Sequence, residues 1–140
     1  VVDVTVNLKD GSFHTVDSSD MAFRQAARIA MSDGMPNCSP VLLEPIMAVD
    51  IYVPTDATAR INGIIPQRRG QILGFDAREG WPGWDVVQAH IPEAEMEDLI
   101  VELRSATAGV GTFTAKFDHL AELTGKLADH VLATHKPAAA

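Results

Sequence analysis

The chain is poor in cysteine and in cations, and each shortage excludes a class of protein. Cys38 is the single cysteine, so this chain forms no internal disulfide and no cysteine-based zinc site. A reducing, cytoplasmic setting is therefore expected. Only 11 Lys and Arg stand against 19 Asp and Glu, which gives a formal net charge of -8. Bulk attraction to nucleic acid is thus excluded as the main driver of binding, and any RNA contact must come from local basic or polar spots.

Long apolar runs and nucleotide-binding motifs are missing as well. No stretch approaches the roughly 18 consecutive apolar residues of a membrane span, and no signal peptide pattern is present, so no membrane contact is expected. No G-x-x-x-x-G-K-[ST] phosphate loop occurs. We expect no catalytic residue, no cofactor site and no metal site in these 140 residues. The chain opens in strand-like sequence without an initiator Met, which suggests a fragment of a longer protein.

The first part of the chain predicts one strand followed by one helix. Apolar and polar residues alternate over residues 1–9, which is typical of a half-buried strand. Residues 17–20 supply N-cap candidates for a helix that runs to about Ser32. Proline, asparagine and serine over residues 35–40 indicate a linker. Residues 1–38 are therefore predicted to be a strand–helix piece of one α+β domain.

The next part, residues 39–119, predicts a β-α-β-β-α-β order. Its strands are predicted near residues 47–53, 71–75, 84–91 and 113–117, and its helices begin near Thr55 and Pro92. This order is the ferredoxin-like split βαβ arrangement, an antiparallel four-stranded sheet with two helices on one face. The other face needs water or a partner. Leucines and a valine at helical spacing predict a C-terminal helix and tail over residues 120–140, beginning at Leu120.

Five sequence blocks then occur in a distinctive order. They are DGSFHTVDSSDMAF (10–23), PVLLEPIM (40–47), QRRGQI (67–72), LRS (103–105) and GTFTAKFDH (111–119). Together they closely resemble the C-terminal part of bacterial elongation factor G, a family of five-domain ribosomal translocation GTPases. The resemblance implies that the chain holds the second half of the fourth domain, up to residue 38, and the fifth, ferredoxin-like domain.

Three departures from the family pattern place the chain nearer to the elongation factor G-related paralogues. Residues 97–99 read Glu-Asp-Leu where the family usually has Phe-Gly-Tyr, and residues 108–111 read Ala-Gly-Val-Gly where it has Gln-Gly-Arg-Gly. The usual run of three arginines is Gln-Arg-Arg at residues 67–69. Each change removes an aromatic or a cation from a region that the resemblance places near ribosomal RNA.

The resemblance implies two groups of ribosome-contacting residues. Ser12, Phe13 and His14 match a tip loop that points towards the decoding region of the small subunit, where His14 would contact RNA by stacking or by a phosphate hydrogen bond. A solvated loop histidine is the alternative. Arg104 and Ser105 match the region that approaches the sarcin–ricin loop, with a helix-end hydrogen bond of Ser105 as the alternative.

The two arginines that close the first helix of the fifth domain also have two interpretations. Arg68 and Arg69 match a phosphate clamp, because guanidinium groups bind phosphate oxygens in pairs. The alternative is that they complement the helix dipole at its C-terminus. The remaining histidines, His90, His119 and His130 among them, lie in no metal-binding motif and are expected to be ordinary surface residues.

The leading interpretation is a ribosome-contacting C-terminal fragment of an elongation factor G-related GTPase, acting in translocation or a related step of protein biosynthesis. By resemblance, GTP and Mg²⁺ would bind upstream of this fragment. Its partners would be the decoding region, the sarcin–ricin loop and the stalk base, and the fragment is expected to be monomeric. The alternative is a freestanding ferredoxin-like regulatory module that binds a small molecule or dimerises through its open sheet face.

Overall fold

The computed structural model describes residues 1–135, which divide into an N-terminal unit, Val1–Pro40, and a C-terminal unit that begins at Val41. The division falls two residues after the predicted boundary. The N-terminal unit holds one helix, α1 (Asp20–Gly34), followed by a 3₁₀ turn at Met35–Cys38. The hydroxyl of Ser19 accepts a hydrogen bond from the amide of Ala22 at 3.1 Å, so this helix begins with a side-chain cap.

The strand predicted over residues 1–9 is wrong. These residues are exposed and irregular, and Asp3 takes a left-handed φ of 56° that interrupts the extended chain. Alternation favours a strand only where a second strand can satisfy its amides and carbonyls. Nothing between residues 1 and 135 pairs with this segment, so the period-2 pattern is not realised as a ladder.

The C-terminal unit has the predicted split βαβ topology. Its elements are β1 (Leu43–Pro54), α2 (Thr58–Gln67), β2 (Gln71–Ala77), β3 (Trp84–Pro92), α3 (Leu99–Ala106), β4 (Thr112–Glu122) and α4 (Gly125–Thr134). The strands pair in the order β2-β3-β1-β4, and every pair is antiparallel. The ferredoxin-like α+β prediction is therefore confirmed, with β1 and β3 at the centre of the sheet.

The core lies between one face of the sheet and the helices α2 and α3. Its fully buried members are Val49, Ile51, Val53, Val87, Ile91, Ile61, Ile65, Leu99 and Leu103. Alternate residues of the central strands supply one half, and residues at helical spacing supply the other. Each fully buried Ile, Leu or Val contributes roughly 1.5–3 kcal/mol, so this layer carries most of the stability of the unit.

Two helix starts differ from their predictions for local reasons. The helix expected at Pro92 begins only at Leu99, after a 3₁₀ turn at Glu93–Glu95, because Asp98 takes a left-handed φ of 57°. The helix expected from Leu120 begins at Gly125, because β4 continues as far as Glu122. Leu120 pairs with Pro45 in the sheet, and this ladder overrides the helical spacing of the leucines.

The last five residues of the predicted tail lie outside the described residues. No helix within residues 1–135 is long and apolar enough to cross a membrane.

Candidate ribosome-contacting sites

The predicted tip loop is an exposed turn that leads into α1. The amide of Asp17 donates to the carbonyl of His14 at 3.1 Å, and the amide of His14 donates to the hydroxyl of Ser18 at 3.1 Å. Ser12, Phe13 and His14 are all exposed, and Phe13 has 70% of its surface accessible. No hydrogen bond within the described chain engages the imidazole of His14. The backbone of the turn is thus held while its aromatic side chains face solvent.

Arg68 makes internal contacts from three sides of its guanidinium. Nε donates to Glu102 Oε2 at 2.9 Å, and Nη2 lies 2.8 Å from the same oxygen. Nη1 donates to the carbonyls of Glu95 and Glu97 at 2.6 and 2.7 Å. The side chain is only 15% exposed. Arg68 therefore fastens the end of α2 to α3 and to the segment that precedes it.

Arg69 is engaged in the same region by two carboxylates. It contacts both oxygens of Glu44 through Nη1 and Nη2, at 2.7 and 3.0 Å, and its Nε donates to Glu95 at 3.0 Å. The hydrogen bond that Arg69 donates to Glu44 is the main cause that raises the pKa of Arg69, against a smaller lowering by burial. Its backbone has a left-handed φ of 53°. The two parallel hydrogen bonds between Arg69 and Glu44 therefore hold the turn after α2 against β1.

The geometry of both arginines favours a structural role over the phosphate clamp. Their principal donors already meet carboxylates or carbonyls, so a phosphate would have to displace Glu44, Glu95 or Glu102. The helix-dipole alternative does not account for these contacts either, because the groups that bind the two guanidiniums lie outside α2. The carboxylates that bind Arg68 and Arg69 are distant in the sequence, so no local sequence pattern predicts these ion pairs.

The end of α3 presents the second predicted contact group. Arg104 and Ser105 are exposed, and no ion pair or side-chain hydrogen bond engages either of them in residues 1–135. The loop beyond them is braced by Thr107, whose hydroxyl donates to the carbonyl of Leu103 at 2.6 Å and accepts from the amide of Gly111 at 2.7 Å. The helix-end hydrogen bond is thus made by Thr107, which leaves the Ser105 hydroxyl accessible.

The two tryptophans of the C-terminal unit pack against each other and against a cation. Trp81 and Trp84 pack edge to face with ring centroids 5.5 Å apart. The guanidinium of Arg78 lies 4.0 Å from the centre of the Trp81 ring and 4.5 Å from that of Tyr52. This cluster of aromatic rings and one guanidinium lies beside the turn between β2 and β3.

Two histidines that the sequence predicts to be ordinary surface residues converge with an aspartate on the sheet. His119 Nδ1 donates to Asp118 Oδ2 at 2.6 Å, and His90 Nε2 lies 3.5 Å from the same oxygen. The hydrogen bond from His119 holds the pKa of Asp118 below its usual value, and the charges of His90, His119 and Lys116 act in the same direction. His90 comes from β3 and the other two come from β4, so two histidines that were expected to be ordinary surface residues lie together in one cluster with a carboxylate.

Comparison with known proteins identifies both units. Residues 1–39 match the family described as elongation factor G, domain IV, and residues 41–131 match the family described as elongation factor G C-terminus. The elongation factor G-like protein of Synechocystis sp. (strain ATCC 27184 / PCC 6803 / Kazusa) is 55% identical over 131 residues, which is 94% of this chain. A crystal structure from Thermus thermophilus is 38% identical, covers 89% of this chain and superposes with a TM-score of 0.81.

The fold and the matched segments define the C-terminal region of a translation elongation factor. The chain belongs to the elongation factor G family. It spans 20% of the length of the Synechocystis relative and 18% of the matched Thermus chain. The predicted resemblance to the elongation factor G-related paralogues is confirmed by the relative that carries the elongation factor G-like name.

Proposed function

We propose that this chain is the ribosome-contacting C-terminal region of an elongation factor G-related GTPase that acts in translocation or a related step of protein biosynthesis in the cytoplasm. The observation that carries the proposal is the match of two consecutive elongation factor G domains in family order. GTP and Mg²⁺ would bind in a part of the protein outside these residues. The region would act as a monomer, by contact rather than by catalysis.

Two exposed groups support contacts with ribosomal RNA. The tip loop, Ser12 to His14, would reach the decoding region, because its aromatic side chains are free and its backbone is held. Arg104 and Ser105 at the end of α3 would meet the sarcin–ricin loop, with the stalk base close by. A serine hydroxyl and an unpaired guanidinium suit phosphate and ribose oxygens, which need donors but no base sequence.

The first test is co-sedimentation of the full-length protein with ribosomes, with GTP and with a slowly hydrolysed analogue. We expect pelleting that depends on the nucleotide. An absence of pelleting in both states would contradict the proposal and would favour the alternative of a freestanding module that uses its open sheet face.

The second test is His14→Ala in the same full-length protein, with His130→Ala as the matched control. A stacked base contributes about 1–3 kcal/mol, so we expect the ribosomal step to slow by roughly tenfold, since about 1.4 kcal/mol corresponds to one decade. Because the His14 imidazole has no hydrogen bond within the described residues, folding should be unaffected. A rate unchanged from that of the control would remove His14 from the contact.

A further inference from the structure

The convergence of His90, Asp118 and His119 is produced by an irregularity in β4. Along the β1–β4 ladder, Ile46 pairs with His119 but Met47 pairs with Phe117, so Asp118 is an extra residue without a partner. Side chains of consecutive strand residues normally point to opposite faces. A bulge breaks this alternation and redirects side chains, which allows a carboxylate and the imidazole next to it in sequence to meet.

The third member of the cluster reaches it across the central strand. Ala48 on β1 pairs with His90 on one side and with Lys116 on the other. Its methyl group is small, so the His90 ring extends over β1 towards the bulge, and the rings of His90 and His119 lie with centroids 5.4 Å apart. The cluster borders a depression of about 440 Å³ in the sheet face that lacks helices.

We propose that His90, Asp118 and His119 form a binding site for a divalent transition metal, and that Zn²⁺ is the ion it takes. One ligand atom from each residue lies within 4.8 Å of the other two. Two imidazole nitrogens and one carboxylate oxygen form a donor set that suits zinc. Mg²⁺ and Ca²⁺ prefer all-oxygen sites, so the donor set discriminates against them.

Two of the three separations between ligand atoms are close to those of a tetrahedral site. Bonds of about 2.0–2.1 Å place tetrahedral ligands roughly 3.3 Å apart. The 3.5 Å between His90 Nε2 and Asp118 Oδ2 already fits this separation. The 2.6 Å between His119 Nδ1 and Asp118 Oδ2 is a hydrogen-bond length and would open as the metal replaces the shared proton. Three protein ligands leave the fourth position to a water molecule.

The three side chains are accessible to an ion from solvent, and they can be substituted without disturbing the fold. The side chains of His90, Asp118 and His119 are 25%, 39% and 46% exposed. None belongs to the core, so their substitution leaves the packing of the sheet on its helices intact. Lys116 lies on the same face and opposes a cation, so its replacement by Met should leave binding unchanged or strengthen it. The proposal does not depend on the ribosomal role.

The experiment is a Zn²⁺ titration of the 140-residue chain in competition with a chromophoric chelator. The variants are His90→Ala, Asp118→Asn and His119→Ala, with His130→Ala as the matched control from α4. Removal of a residue that only orients a metal ligand weakens metal binding by about 10- to 100-fold. Because these three residues are the ligands themselves, we expect the Zn²⁺ affinity of each site variant to fall by at least roughly tenfold. The control should bind as the wild type does.

Two spectroscopic readouts identify the ligands directly. On addition of Zn²⁺ we expect the imidazole ¹⁵N resonances of His90 and His119 to shift, while that of His14 stays fixed. Bound Co²⁺ should give tetrahedral d–d absorption without a thiolate charge-transfer band, which would exclude Cys38. Wild-type affinity in both His90→Ala and Asp118→Asn, or loss of binding in His130→Ala, would overturn the proposal. Asp118→Asn preserves the shape of the side chain and serves as the variant least able to disturb the fold.

Discussion

Replacement of Arg68 by alanine should destabilise the C-terminal unit strongly, although arginine is usually a surface residue. In the folded chain its guanidinium bonds to Glu102 and to the carbonyls of Glu95 and Glu97. These partners lie 27 to 34 residues away along the sequence, so the contacts exist only when α2, α3 and the intervening segment are assembled. The substitution therefore removes a connection between elements and not a local helix contact.

The magnitude follows from the kind of bonds and from their exposure. A hydrogen bond to a charged group contributes about 1.5–3 kcal/mol. The Glu102 side chain is 39% exposed, so water recovers part of the loss when its partner is removed. We therefore expect the free energy of unfolding to fall by about 2 kcal/mol in total, which is less than the roughly 3–5 kcal/mol lost when one partner of a fully buried ion pair is removed. For a unit of this size, that corresponds to a fall in Tm of roughly 8–16 °C.

The assay is urea unfolding followed by tryptophan fluorescence. Trp81 and Trp84 are the two tryptophans of the chain and both belong to the C-terminal unit, so the signal reports that unit alone. Arg68→Ala should lower the midpoint without changing the slope with urea, because the surface exposed on unfolding is the same. Arg104→Ala is the matched control, since its exposed side chain should change stability by less than about 0.5 kcal/mol.

Two results would refute this reasoning. Equal midpoints for Arg68→Ala and Arg104→Ala would mean that the internal bonds of Arg68 contribute nothing. If Arg68→Ala left stability unchanged but weakened ribosome binding in the full-length protein, the guanidinium would serve the phosphate clamp that the sequence suggested. Arg68→Lys separates charge from geometry and should recover only part of the lost stability, because an ammonium cannot contact all three partners at once.

Two glycine-related changes should also alter stability. Gly70→Ala should cost about 1–3 kcal/mol, because a β-carbon there would lie 2.9 Å from the carbonyl of Ile65 and 3.1 Å from Ile91. Its control, Gly74→Ala, has no atom within 4 Å of the added carbon and should be nearly silent in the same urea assay; equal effects would contradict the steric argument. Ala108→Gly should stabilise the unit by about 0.5–1 kcal/mol, since Ala108 holds a left-handed φ of 53° that costs L-residues about 1–2 kcal/mol. A lower thermal midpoint for Ala108→Gly would show that the loop is not strained.

Local patterns were sufficient for most of the C-terminal unit. The alternation along β1 and the helical spacing of Leu99 and Leu103 put the right side chains into the core, because the unit provides both the paired strands and the covering helices. The same alternation failed over residues 1–9, where no strand in the described residues pairs with it. At Leu120 the ladder with β1 prevailed over the helical spacing. A periodic pattern therefore predicts an element only when the partner for its backbone or its apolar face is also present.

By itself, the sequence determined the family, the split βαβ order and the position of His14 in a loop, because ordered motifs and turn residues are local properties. Only the tertiary structure decided the partners of Arg68 and Arg69, because their carboxylates come from distant parts of the chain. It also decided the meeting of His90 with Asp118 and His119, which requires both the antiparallel register and an extra residue in β4. Side chains from different strands can form one binding site only when the register of those strands places them next to each other.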